Sequence, residues 1–159
     1  TSSCSSANAL PFNDFSKYLA VLNMEGDAEI GKDIFRKKCS ICHKVDTVGT
    51  AIGPNLTTLD SRRAKLLVDI IDPNRDVSPE YLYNTITTND GESVSGILTK
   101  ETSNSISIKD NTGDIRTILR SNIESIKTME YSLMPVGLET HVSGKDMADL
   151  LEFIERSGS

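Results

Sequence analysis

The chain has 159 residues, 37% hydrophobic and 25% charged, with a net charge of −6. This is the size and composition of one globular domain with one core. The acidic balance argues against a nucleic-acid partner and for a docking partner with a basic patch; no apolar run approaches the roughly 20 residues of a membrane-spanning helix, and no secretory signal is visible.

Residues 1–12 are Ser-rich and read as a mobile terminus. They carry Cys4, one of three cysteines, read as a free thiol there, with a lipid anchor or an intermolecular disulfide as the sharper alternatives. Phe15, Tyr18, Leu19 and Leu22 then fall at i, i+3, i+4 and i+7 behind Asn13 and Asp14 as cap candidates. That spacing predicts a short helix, which either packs on the domain or ends a preceding one. Asp27 is a good N-cap for the next helix, roughly residues 28–39, with Ile30, Gly31, Ile34 and Phe35 as its stripe. A glycine inside a helix costs about 1 kcal/mol against alanine. Either another helix passes close to Gly31, or the glycine is merely tolerated.

That helix runs into Cys39-Ser40-Ile41-Cys42-His43, the attachment signature of c-type haem. Each thiol adds to one porphyrin vinyl group and becomes a thioether, so the two must sit one short turn apart. The adjacent imidazole then falls under the iron as the proximal ligand. Residues 44–60 read as a loop punctuated by Gly49, Gly53 and Pro54. Asp60 or Ser61 caps a helix ending near Asp72-Pro73, with Leu66, Leu67, Ile70 and Ile71 as its apolar face. Arg62 and Arg63 open that helix, where cations are unfavourable; they either pair a haem propionate or lie on a solvated face.

A β-rich stretch follows. Tyr81–Thr88, the Asn89-Asp90-Gly91 hairpin signal, Val94–Thr99, the alternating Ile106 and Ile108, the Asn111-Thr112-Gly113 turn and Ile115–Leu119 predict an antiparallel meander of four or five strands, finished by Ile123 and Ile126. Its Ser- and Thr-rich face is expected to meet water. Met134-Pro135 comes next. A thioether is a soft ligand that favours reduced iron, and Met134 is the candidate distal ligand, with Met129, Met147 and His141 as competitors. The last helix starts near Ser143-Gly144-Lys145-Asp146, close to a capping box, with Met147, Leu150, Leu151 and Ile154 as its stripe.

Gly26–Phe35, CSICH, Gly53-Pro54-Asn55-Leu56, the Met-Pro pair and the apolar final helix together resemble class I cytochromes c. The middle third, with IIDPNRDVSPEY, TTNDGESVSGILTKET, the NTGD turn and SLMPVGLE, resembles a narrower group, the planctomycete-type haem-binding domains. Those often stand at the C-terminal end of sugar- or alcohol-dehydrogenase-like proteins. The resemblance implies a mainly α cytochrome c fold with a small inserted antiparallel sheet (α+β overall). Residues 1–25 would be terminus and leading helix, and 26–159 the domain, with the insert at about 80–128. It also implies that Gly31 and Phe35 cross the C-terminal helix at Phe153, and that the Pro54 carbonyl accepts the second ring hydrogen of His43. Phe35, Pro54 and Leu56 would line the haem pocket. One covalent haem c would be held by Cys39, Cys42, His43 and Met134.

The function so implied is a one-electron carrier and not an enzyme, periplasmic or otherwise exported, fed by a redox protein or a fused dehydrogenase domain. The alternative is a haem-based sensor in which a gas displaces the methionine. A thiol redox pair lacks the expected βαβ surroundings. A zinc site would have only His43 with a distant His141 or Cys4, and no distal His–Arg pair supports a peroxidase.

Overall fold

The computed structural model describes residues 15–58 and 62–157. The Ser-rich start with Cys4, the caps proposed at Asn13, Asp14, Asp60 and Ser61, and the final Gly158 and Ser159 lie outside the described residues.

Residues Phe15–Asn23 form a 3-10 helix, not an α-helix. Three residues per turn eclipse positions i and i+3, so Phe15, Tyr18 and Val21 share the inward face. Val21 is 1% exposed, whereas Leu19, assigned inward by the α-period, is 57% exposed. The segment packs on the helical core rather than leading away from it.

Helix α1, Ala28–Lys38, starts as expected: the Asp27 carboxylate accepts from the Glu29 N–H at 2.9 Å and the Ile30 N–H at 3.3 Å. Its last turn carries Arg36, Lys37 and Lys38, the charge sign favoured at a helix C-terminus. Helix α2, Arg63–Ile71, buries Leu66, Leu67 and Ile71. Helix α3, Gly144–Ser157, is capped by Ser143, whose Oγ accepts from the Asp146 N–H at 3.1 Å.

Close approach explains Gly31. A β-carbon there would sit 1.9 Å from the Asp149 carbonyl oxygen and 2.9 Å from Phe153 Cβ. One at Gly26 would sit 2.3 Å from the Ala148 oxygen. Helices α1 and α3 therefore approach backbone to backbone, and Phe35 meets Phe153 with ring centroids 5.5 Å apart. A buried polar staple pins the crossing: Asp149 accepts from the backbone N–H of Asp27 at 2.6 Å and pairs with Lys145. Arg63 adds a second clamp. It donates to Glu152 at 2.6 Å, to Glu155 at 2.9 Å and to the Met24 carbonyl at 2.7 Å, with its side chain 16% exposed. Arg63 is thus neither solvated nor directed at a propionate; it ties α2 to α3. Arg62 is exposed at the N-cap position of α2.

The expected mainly α architecture with a small insert does not hold. The molecule is 37% helical and 29% strand and carries a five-stranded antiparallel sheet. Two short strands, β1 (Lys44–Val45) and β2 (Val48–Gly49), pair in the loop after the motif. Then β3 (Leu82–Thr88), β4 (Ser93–Glu101), β5 (Ser105–Lys109) and β6 (Ile115–Leu119) form the meander. β7 (Ile123–Ser132) crosses back to the other edge, giving the order β6-β5-β4-β3-β7. The strand β7 was under-read because an edge strand need not alternate: Glu124, Lys127 and Glu130 interrupt its apolar pattern, and most of it is exposed. It pairs along β3 all the same, and the rings of Tyr83 and Tyr131 stack 6.3 Å apart near its end.

The sheet has its own apolar cluster. Ile86 faces Val94, Leu98 faces Ile108 and Ile106 faces Ile118, with Ile123 beside them. On the other face hydroxyls pair across strands, Thr85 with Ser95 and Ser107 with Thr117, each at 2.9 Å.

Gly31→Ala separates crowding from propensity. Propensity alone would stabilise an α-helix by about 1 kcal/mol. Overpacking against the Asp149 carbonyl reverses the sign, and a net loss of about 1–3 kcal/mol is expected in urea unfolding. A gain in stability would mean that the helices do not meet there.

Candidate haem site

Helix α1 ends on the first thiol: the Cys39 N–H still donates to the Phe35 carbonyl at 2.8 Å. The motif then closes on itself. The Cys42 and His43 N–H groups both donate to the Cys39 carbonyl, at 3.1 and 2.9 Å. This turn brings the two thiols and the imidazole onto one short stretch of backbone.

The following loop folds over the histidine. The Cys42 carbonyl accepts from Ile52 at 3.1 Å and from Gly53 at 2.7 Å, and Ser40 accepts from Thr50 at 2.9 Å. Gly49 needs its left-handed φ of 94° and the space beside the His43 carbonyl, where a β-carbon would sit at 2.1 Å. Gly53 lies against the ring; a β-carbon there would be 3.0 Å from His43 Cε1. The result is a hydrogen bond of 2.9 Å between His43 Nδ1 and the Pro54 carbonyl. A carbonyl only accepts, so Nδ1 carries the proton and Nε2 is left with a free lone pair. Burial pushes the His43 imidazole below its ordinary range, against the pull of Pro54, so the ring is neutral at pH 7. Neutral imidazole is the form that binds a metal.

Both thiols are free and part-buried. Burial pushes Cys39 up to about 11 and raises Cys42 as well. A redox-active pair needs the opposite, a depressed thiol. Among the described residues no group of three or more His, Cys, Asp or Glu side chains is placed to hold a metal ion. The donor set therefore suits haem: two thiols spaced for two vinyl groups, one imidazole with its tautomer fixed, and a glycine pressed to the ring edge.

Leu56 is part-buried against the helical core, with its N–H on the Lys44 carbonyl at 2.9 Å. Phe35 is fully buried in the α1–α3 crossing. Cys39, Cys42, His43 and Pro54 are thus brought together, with Leu56 close behind in the same loop. Met134 lies on a different element, just past the end of β7, part-buried, with its N–H on Ser132 Oγ at 3.0 Å. Of its competitors, Met129 is on β7, His141 is exposed in a 3-10 turn and Met147 is fully buried in α3. The roles of Gly49 and Gly53 against His43 are legible only once the loop is folded; in the sequence they read as punctuation. Lys109 and Gly113 reach this loop from the sheet; the sequence marks Gly113 as a turn residue but carries no sign of either contact.

Residues 28–101 match the family model described as Cytochrome c. The match takes in the motif and Pro54 and stops short of Met134 and α3. A cytochrome c-553-like protein of Synechocystis sp. is 38% identical over 55 residues, 34% of this chain and 51% of its own length. A cytochrome c type-1 of Ascaris suum is 42% identical over 40 residues, 25% of this chain and 36% of its own length. The chain spans about half or less of the curated relatives it matches. Over residues 28–101 the chain is similar to the cytochrome c family. Among the described residues no helix is long and apolar enough to cross a membrane.

The thiols give a direct test. In haem-free protein at about pH 8, iodoacetamide labels Cys42 ahead of Cys39, because only the thiolate reacts and burial holds the Cys39 thiol protonated. The lag of Cys39 shrinks as the pH approaches 11. Equal rates at the lower pH would show that Cys39 is not shielded.

Proposed function

We propose that this chain is a monohaem c-type cytochrome that carries one electron, accepting it from a dehydrogenase, fused or separate, in an exported compartment such as the periplasm. The observation that carries the reading is the 2.9 Å hydrogen bond from His43 to Pro54 beside the two thiols. A histidine whose second nitrogen is held by a backbone carbonyl is built as an oriented ligand. Cys39 and Cys42 would be the thioether links, His43 the proximal ligand and Met134 the distal one, with Leu56 and Pro54 beside the ring. Bound there, the haem would supply a one-electron ferric–ferrous couple.

The protein's own part in that chemistry is to set the electronics and the access. Pro54 raises the basicity of His43, which favours ferric iron. The Met134 thioether pulls the other way and favours ferrous iron. If His43 and Met134 both held the iron, no position would be left for a substrate, which is why electron transfer is preferred over catalysis. The narrower likeness to planctomycete-type domains supports a dehydrogenase as donor.

Optical spectra of the matured protein test the ligand pair. Wild type is expected to be low-spin, with the weak red band of methionine-to-ferric-iron charge transfer. Met134→Ala should abolish that band, give high-spin ferric haem and lower the reduction potential. A band that survives the substitution would move the sulfur ligand to another methionine. Rapid carbon monoxide binding by ferrous wild type would replace the carrier with a ligand-binding module.

A further inference from the structure

The loop over His43 has a support that the motif does not provide. On its inner side the Cys42 carbonyl holds Ile52 and Gly53. On its outer side it meets the sheet. Lys109, the last residue of β5, reaches across with Nζ and donates to the Ala51 carbonyl at 2.7 Å. The β5–β6 turn comes down on the same spot: a β-carbon at Gly113 would lie 3.9 Å from Ile52 Cδ1 and 3.9 Å from Thr50 Cγ2. Ile52 is 4% exposed between these layers. The turn itself is stiff. The Asp110 carboxylate accepts from the Thr112 N–H at 2.8 Å and the Asp114 N–H at 3.0 Å, and Gly113 donates to the Asp110 carbonyl at 3.2 Å.

We propose that the β5–β6 hairpin is the positioning element for the axial histidine. Lys109 and the Gly113 turn fix residues 50–54, and that segment fixes the bond from His43 Nδ1 to Pro54. The chain of contacts is short and continuous: hairpin to Ala51 and Ile52, Ile52 and Gly53 to the Cys42 carbonyl, Gly53 to the ring, Pro54 to the ring nitrogen. The sheet thereby acts on the donor strength of Nε2 without touching it. A looser loop lengthens the hydrogen bond from Nδ1–H to the Pro54 carbonyl, makes Nε2 a poorer electron-pair donor and destabilises the ferric form. This inference rests on His43 being an iron ligand.

The test uses the haem-loaded protein and two kinds of variant. Ile52→Ala removes the contact with the hairpin and changes no charge, so it carries the potential measurement. Losing the Lys109 cation would by itself favour ferric iron and mask the effect. The reduction potential of Ile52→Ala is expected to shift positive. Hydrogen exchange at the Ile52 and Gly53 amides is expected to rise about tenfold as the loop opens locally. Lys109→Met should raise the same exchange, and Lys109→Arg, which keeps a donor, should restore it. An unchanged potential in folded, haem-loaded Ile52→Ala overturns the proposal. If that variant does not fold, the decision passes to Lys109→Met, where wild-type exchange at Ile52 and Gly53 overturns it. A wild-type protein that takes up no haem in an export-competent host defeats the haem reading; haem-loaded wild type with unmoved variants defeats only this role of the hairpin.

Discussion

The bond between His43 and the Pro54 carbonyl is the constraint around which this molecule is arranged. An imidazole can present either nitrogen, and only an acceptor at one of them decides the matter. Supplying that acceptor from eleven residues downstream requires a loop that folds back on the motif. The loop can do so because two of its members are glycines. Gly49 takes a left-handed φ of 94° beside the His43 carbonyl, and Gly53 lies where a β-carbon would crowd the ring. The short β1–β2 hairpin closes the base of this loop through the backbone of Lys44 and Val45. Nearly every backbone group near the histidine is thus spoken for, and the ring has one orientation.

The helices solve a different problem, which is where the motif begins. Helix α1 must deliver Cys39 at a fixed height, and its crossing with α3 sets that height. Gly26 and Gly31 allow the approach, Phe35 and Phe153 fill the gap above it, and Asp149 holds the N-cap backbone of α1 from the partner helix. Arg63 extends the same fixation to α2 through two carboxylates of α3. The Gly26, Gly31 and Asp27–Asp149 contacts lie toward the start of α1, away from the thiols, whereas Phe35 sits one turn before Cys39 and accepts its N–H. The eleven residues of α1 thus join packing at one end to the motif at the other.

What was legible in the sequence follows from how local each signal is. The Asp27 cap, the Cys39–His43 run, the Ser143 cap and the four meander strands are each written in a few adjacent residues, and each is in place. The leading segment misread by one turn type: its spacing suits an α-helix, yet three residues per turn bury Val21 and expose Leu19. Nothing within nine residues distinguishes the two windings; packing against α3 does. The length of β7 has another reason. Edge strands are half solvated, so past Ile126 the strand character is hidden behind Lys127 and Glu130, and only the register with β3 shows how far β7 runs. The partners of Arg63 and Lys109 lie 89 and 58 residues away, which is why neither contact is legible in the sequence. Long-range polar contacts leave no periodic trace, and these two decide how α2 and the sheet are anchored.

The large sheet need not disturb the helical frame that it interrupts. The chain leaves that frame after α2 and returns to it at Met134. Its exit and re-entry are tied together: the Ser132 N–H donates to the Asn74 side chain at 2.8 Å, across a separation of 58 residues. Seen from the helices, everything between those residues is one closed loop. The entropic cost of closing a loop grows only with the logarithm of its length, about 0.6 kcal/mol for each doubling. A segment with its own apolar cluster of Ile86, Ile106, Ile108 and Ile118 can offset that cost by burying its own side chains. The Asn74–Ser132 tie then fixes where the chain re-enters, so the start of the Met134 loop is set by the frame and not by the number of strands inserted before it. The insertion could therefore enlarge into a five-stranded sheet and still lean its β5–β6 hairpin on the loop over His43.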